Sequence, residues 1–211
     1  AMINSVNGKK ESMERVFPLV KKYGGVVVAL TLDENGIPET SEGRVNIAKK
    51  ILSVAKEYGI EKKDIIFDTL AMTVSADKNS ANVTLEALKR IKEELFCHTI
   101  LGVSNVSFGL PSRDAINATF FALALENGLS CAIMNPFSAD MMKIFYTYRA
   151  LKGFDDNFAE YIEVADSFKV VPAVSEKTEK SEEGFESDLQ NAIIKGFKDK
   201  AGEITKELLK S

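Results

Sequence analysis

The chain is poor in the residues that carry most nucleophilic and metal chemistry. Of its 211 residues, two are cysteine and one is histidine. Cys97 and Cys131 form no CxxC pair, which leaves no cysteine-rich zinc motif and favours a reducing compartment with buried thiols. His98 sits in the apolar stretch FCHTILGV, where a lone histidine reads as a packing residue rather than the base of a triad. No apolar run is long enough to predict a transmembrane helix. No basic stretch precedes an apolar one at the N-terminus, so a secretory signal is not expected and a cytoplasmic location is. Glycine-rich phosphate loops are missing too: no GxGxxG follows a strand, and GxxxxGK[ST] does not occur. A net charge of -4 argues against a nucleic-acid surface, which needs clustered Lys and Arg.

What is there is an ordinary soluble composition, 45% hydrophobic and 27% charged, long enough for one large domain or one domain and part of another. Strand and helix patterns alternate along it. AMINS (1–5) reads as the end of a strand whose upstream part is missing. Residues 9–23 have Met13, Val16, Phe17 and Val20 at helical spacing, with Pro18 predicting a kink or a late start. GGVVVALTL (24–32) is a β-branched run suited to a strand buried on both faces. After the polar loop 33–42, residues 43–58 give a second helix ending at Gly59. The pattern then repeats: strand 64–68 and helix 79–96, strand 98–103 and helix 111–127 starting at Pro111, strand 130–135 and helix 138–151. Five βα units predict a parallel sheet with right-handed crossovers. They match either the last five units of a (β/α)8 barrel or an open doubly wound sheet. Residues 169–187 read as a polar linker, and 188–211 as two short helical segments, with Leu189, Ala192 and Ile193 on one face and Ile204, Leu208 and Leu209 on the other.

Each strand ends in polar residues: Asn4 and Ser5, Asp33, Asp68, Ser104 and Asn105, then Asn135. In parallel βα architectures the carboxyl ends of the strands form the active face. Each residue also has a plain local reading. Asp33 opens an Asx-turn, Asn135 starts a turn before Pro136, Asp68 caps a loop and Asn105 steadies one. Together the set is rich in amides and carboxylates and has no His, Cys or Lys. That favours hydrogen-bond recognition of a polar heterocycle over nucleophilic or metal catalysis.

Five segments carry a resemblance: INSVNG (3–8), VVVALTLDENGIPET (26–40), DIIFDTL (64–70), LGVSNVSFGLPSRDAIN (101–117) and AIMNP (132–136). In order and spacing they resemble the pterin-binding, methyltetrahydrofolate-binding barrel of cobalamin-dependent methionine synthases and of the related methyltetrahydrofolate:corrinoid methyltransferases. The likeness spans about residues 1–165. The tail LQNAIIKGFKDKAGEITKELL resembles the first helices of the cobalamin-binding cap module. The resemblance implies an α/β fold, the C-terminal part (about five βα units) of a TIM-type (β/α)8 barrel over residues 1–168. A linker (169–187) and the start of a helical cap (188–211) follow. The family barrel's first three strands, with a pterin-binding aspartate on the third, have no counterpart here.

The resemblance also implies a reaction: a methyl group moves from N5 of 5-methyltetrahydrofolate to cob(I)alamin, and in methionine synthase on to homocysteine. Asn105 is the implied catalytic residue, serving N5. Asp68 is implied to pair with the pterin 2-amino and ring N–H groups, and Asn4 to hydrogen-bond the pterin. Arg113 steadies the loop or the pterin surroundings, Phe108 forms an apolar wall, and Asp33 and Asn135 share the rim. No metal is implied on this chain. Cobalamin would be held by a neighbouring module, and a homocysteine-binding domain would be a further partner. The alternatives are a methyltransferase acting on a corrinoid iron–sulfur protein, and a non-catalytic piece lacking the first barrel strands.

Overall fold

Segments such as VVVAL have no polar position to turn toward water, and in parallel sheets such runs are covered on both sides. The computed structural model, which describes residues 1–168 together with 202 and 204–206, places them accordingly. Strands β1 (Met2–Asn7), β2 (Val26–Leu30), β3 (Ile65–Asp68), β4 (His98–Gly102) and β5 (Cys131–Ile133) form one sheet in the order β1-β2-β3-β4-β5. All four pairings are parallel. Helices α1 (Lys10–Tyr23), α2 (Ser41–Glu57), α3 (Ser80–Arg90), α4 (Arg113–Glu126) and α5 (Ala139–Leu151) each follow a strand, and α6 (Ala159–Ala165) follows α5. A doubly wound sheet reverses its strand order at a switch point, whereas a barrel keeps chain order. The sequential order therefore identifies a partial TIM-type barrel.

The period of two along each strand separates two cores. On one face Val6, Val27, Ala29, Ile65 and Phe67 pack with Met13, Phe17 and Val20 of α1 and with Val45, Ala48 and Ile51 of α2. Leu101 continues that face among Leu88 of α3, Phe121 and Ala124 of α4, and Met141 of α5. On the other face Val28, Ile66 and Ile100 form a small cluster of their own, flanked by Val26 and Leu30. The helices thus share one face, and the inward face is layered by the strands alone.

Local chemistry explains the boundaries and several departures from expectation. Thr40 caps α2, its Oγ1 accepting from the Gly43 N–H at 3.1 Å, so that helix begins earlier than expected. Pro18 lies inside α1 on its exposed side, where the carbonyl it leaves unpaired can reach water. The expected helix 79–96 changes register in its last turn: Ile91–Leu95 is a π turn that stops at Phe96, with φ 55°. Helix α4 starts at Arg113 rather than Pro111, because Ser112 has φ 51°. Strand β1 runs on to Asn7 instead of ending at Asn4 and Ser5. A register shift between Asn4 and Val6 makes Ser5 the extra residue of a bulge. Strand β5 is shorter than expected, and β1 and β5 each pair on one side only.

Two apolar assignments are corrected. Cys97 is buried, but Cys131, at the start of the edge strand β5, is exposed. His98 is exposed rather than packed, opposite Ile66 in the ladder and at the strand end remote from the polar residues. Residues 202 and 204–206 are helical. The expected linker at 169–187 and the rest of the expected helices at 188–211 lie outside the described residues. No helix among the described residues is long and apolar enough to cross a membrane.

Leu101 joins the sheet to three helices and is 0% exposed. Leu101→Ala is expected to cost about 2–5 kcal/mol in urea unfolding, through lost transfer energy and a residual cavity. A loss below about 1 kcal/mol would show that the α3–α4–α5 layer closes over the gap.

Candidate functional site

The ladder register sets the height of each polar residue on the inward face. Leu30 pairs with Asp68 and Asp68 with Ile100, so Asp68 stands in the last layer of β2 and β3, below the Gly102–Ile133 pair of β4 and β5. Asn7, also paired with Leu30, is at that height on β1. Asn4 pairs with Val28 and lies lower. Asn4 is exposed and its side chain makes no hydrogen bond among the described residues. It lines a recess of ≈ 420 Å³ along α1 with Ser5, Lys9, Ser12 and Arg15. Asn7 was not singled out from the sequence. Its Oδ1 accepts from the Lys9 N–H at 3.0 Å, an Asx-turn leading into α1.

Asp68 sits where β3 gives way to its loop. Its Oδ1 accepts from the Leu70 N–H at 2.8 Å, and its backbone carbonyl accepts from both the N–H and the hydroxyl of buried Thr31. Burial pushes the Asp68 carboxyl up to about 6, against the Leu70 N–H and the Arg44 guanidinium, which both favour the ionised form. Leu70 has φ 63°, a left-handed conformation that costs a non-glycine residue about 1–2 kcal/mol.

Arg44 is the residue that sequence reading missed, and it lies beneath this loop, 3% exposed. Its Nη1 donates to Thr69 O at 2.6 Å, Leu70 O at 3.0 Å and Thr84 Oγ1 at 3.0 Å. Its Nε donates to Pro38 O at 3.1 Å. Burial lowers its pKa and the Asp68 charge opposes that shift. A sequence signal existed: Arg44 falls on the same α2 stripe as Ala48, Ile51 and Ala55, where a charge is out of place.

The loop after β4 is a 3-10 turn, Val103–Ser107. Asn105 is exposed there, and its side-chain amide makes no hydrogen bond among the described residues. Gly102 lies under it: a Cβ at that position would stand 3.0 Å from Asn105 Nδ2. Arg113, the first residue of α4, clamps the turn, with Nη2 donating to Ser104 O at 2.8 Å and Nε to Ser107 Oγ at 2.9 Å. The buried Ser107 hydroxyl in turn meets Asn117 Oδ1 at 2.7 Å. Phe108, expected as an apolar wall, is 68% exposed, with its ring centroid 5.9 Å from Arg113 Cζ. Its carbonyl accepts from Thr73 Oγ1 at 2.6 Å and Ser75 Oγ at 3.0 Å, which stitches the loop after β3 to the loop after β4.

The two outer candidates have local partners. Asp33 lies three residues beyond β2 and its Oδ1 accepts from the Asn35 N–H at 2.9 Å. It lines a separate recess of ≈ 390 Å³ with Ile37, Pro38, Asn46 and Lys50. Asn135 Oδ1 accepts from the Phe137 N–H at 3.0 Å, the turn that Pro136 suggested. Asp68 therefore ends β3 and Asn105 lies on the turn after the adjacent β4, with the loops after the two strands tied to each other, while Asn4 lies lower and Asp33 and Asn135 spend an oxygen on their own turns. Among the described residues no group of three or more His, Cys, Asp or Glu is placed to hold a metal ion.

Comparison with known proteins follows the same ground. A family model described as pterin binding enzyme matches residues 1–135. A methylcorrinoid:tetrahydrofolate methyltransferase of Eubacterium limosum is 31% identical over 176 residues, 81% of this chain and 64% of that protein. Methionine synthases of Mycobacterium tuberculosis and Mycobacterium leprae are each 33% identical, over 63% and 64% of this chain. The chain spans 64% of the first relative's length and 12% of each methionine synthase.

An ionised carboxylate in a desolvated position makes the fold sensitive to pH in a defined direction. The folded Asp68 binds its proton more tightly than an unfolded aspartate, whose pKa is about 3.9. The stability from this group is thus full below about pH 4 and is lost as pH rises through about 6. Asp68→Asn should raise the urea midpoint at pH 8 and leave it nearly unchanged at pH 4. An equal difference at both values would show that the carboxylate is not desolvated.

Proposed function

As the chain belongs to the pterin binding enzyme family, we propose that it binds the pterin of a tetrahydrofolate at the carboxyl end of the sheet and serves methyl transfer between N5 and a corrinoid. The observation that carries this reading is an exposed Asn105 amide, without a hydrogen bond among the described residues, on the turn after β4, the strand that neighbours β3 and its last residue Asp68.

The division of labour follows from the groups. A carboxylate offers two acceptors side by side, which suits the neighbouring 2-amino and ring N–H donors of a pterin. Asp68 takes that part, with its desolvation strengthening each hydrogen bond once ionised. Asn4 adds a further amide to the pterin. Asn105 faces N5. The methyl group leaves a tertiary amine, a poor leaving group unless N5 gains a proton or an equivalent hydrogen bond by the transition state. An amide donates or accepts without pKa tuning, so it follows the change of charge at N5 as the N–CH₃ bond breaks. Arg113, through Ser104 and Ser107, holds the turn that presents Asn105. Asp33 and Asn135 complete the rim through their free atoms.

The corrinoid is a second substrate that supplies the cobalt which takes up or gives the methyl group. The corrinoid would be held by another protein or module. A relative matched over 81% of this chain is named a methylcorrinoid:tetrahydrofolate methyltransferase, which supports a methylated corrinoid as the other substrate. The second reading makes the chain the folate module of a methionine synthase, with cobalamin- and homocysteine-binding domains beside it and homocysteine as final acceptor. Likeness to two proteins of that name supports it.

Asn105→Ala is expected to slow methyl transfer from 5-methyltetrahydrofolate to a free reduced corrinoid by about 10² to 10³, with a much smaller change in folate affinity by calorimetry. Equal losses in rate and affinity would remove the transition-state role. Absence of folate binding by the wild-type chain would remove the reading altogether. Activity with an isolated corrinoid protein, and none with homocysteine and cobalamin, would decide for the first partner over the second.

A further inference from the structure

We propose that Arg44 is the positioning residue for Asp68: from beneath the site it fixes the turn that aims the Leu70 N–H at the Asp68 carboxylate. The proposal rests on the reading of Asp68 as the pterin-binding carboxylate.

The geometry is specific. The Asp68 side chain is oriented by one hydrogen bond, from the N–H of Leu70. That N–H belongs to the same planar peptide as the Thr69 carbonyl, and Leu70 just beyond it adopts φ 63°, a conformation leucine avoids when free to choose. Something must hold the segment there, and the carbonyls of Thr69 and Leu70 both accept from Arg44 Nη1. The same nitrogen donates to Thr84 Oγ1, which also lies 3.2 Å from Leu70 O. Nε reaches the opposite loop at Pro38 O. One planar group thus ties α2, α3 and the loops after β2 and β3. A lysine has no fork with which to reproduce this.

The same arrangement gives Arg44 an electrostatic role. Its charge favours the ionised carboxylate, opposing burial. Among the described residues it is the one charged group acting on Asp68, and it comes from α2. The other elements around the carboxylate present uncharged groups: Leu30 at the end of β2 and Thr31 just after it, Ile100 from β4, and Thr84 behind the loop from α3. Removing the arginine therefore has two separable consequences, a looser turn and an Asp68 that ionises at higher pH.

The test measures binding of 5-methyltetrahydrofolate to the 211-residue chain by calorimetry from pH 5 to 9, with thermal melts in parallel. Asp68→Asn, Arg44→Met, Arg44→Lys and Thr84→Val are compared with wild type. Asp68→Asn should abolish most binding at pH 8. Arg44→Met should weaken binding about 10- to 100-fold at pH 7 and move the midpoint of the pH dependence upward from about 6. Arg44→Lys should keep the midpoint near wild type yet fail to restore affinity. Thr84→Val keeps the charge and shape, so it tests the proposal even if Arg44→Met does not fold. It should weaken binding about three- to tenfold without moving the midpoint. A merely structural arginine would lower the melting temperature and leave the midpoint in place. Loss in Asp68→Asn with wild-type affinity and midpoint in the Arg44 and Thr84 variants overturns the inference alone. Wild-type binding by Asp68→Asn overturns the reading of the site, and the inference with it.

Discussion

The parallel ladder in chain order is the constraint from which the rest follows. Parallel pairing places every strand's carboxyl end on the same side, and the period of two sends alternate residues to opposite faces. Once Val27, Ala29, Ile65, Phe67 and Leu101 are committed to the helices, Val28, Leu30, Ile66, Asp68 and Ile100 must face the other way. The polar last layer therefore stands on top of an apolar one. Slipping the register by one residue would turn Asp68 into the helix layer and bring Phe67 to the inward face. No separate feature is needed to gather polar groups at one end of the sheet; the apolar pattern of the strands does it.

On this scaffold two arginines do matching work. Arg44 ties the loops after β2 and β3 from inside, and Arg113 clamps the turn after β4 from the first turn of its helix. Both spend their donors on backbone carbonyls or hydroxyls rather than on carboxylates. That is how a buried or half-buried guanidinium is best satisfied without drawing a second charge into the site. Phe108 is involved through its carbonyl, which Thr73 and Ser75 hold, while its ring stays at the surface. The loops after β3 and β4 thus behave as one mechanical piece carrying Asp68 and Asn105.

How much of this was legible in the sequence depended on whether the cause was periodic or tertiary. The five βα units were legible because β-branched runs and helical stripes repeat over many residues. Strand order was not, since periodicity says nothing of which strand neighbours which. Asp68 and Asn105 stood out because each ends an apolar run with a polar side chain. Their heights on the sheet were harder to read. The bulge at Ser5 carries β1 on to Asn7, and no local pattern announces a bulge. Cys131 and His98 were misjudged for one reason: a residue in an apolar strand is buried only if something covers its face, and both pair with residues of the inward face, which the strands alone layer. Arg44 was overlooked because the search followed strand ends, while the clue was one charge on an apolar helix stripe.

The site also shows where the fold departs from what stability alone would select. Asp68 keeps a carboxylate where burial resists its charge, and Leu70 stays left-handed beside it. The Asn105 side chain has no hydrogen bond among the described residues, while Asn7, Asp33 and Asn135 each satisfy an oxygen within their own turns. Gly102 gives the Asn105 amide room. Its φ of -76° is open to any residue, so backbone freedom does not explain the glycine. Space does: a methyl group there would press on the Asn105 amide at 3.0 Å. The glycine therefore leaves the exposed amide its present place at the rim, from which a methyl group would displace it by a few tenths of an ångström. A group so placed gains nothing for the folded chain by itself, and its hydrogen-bonding capacity is available to a bound molecule.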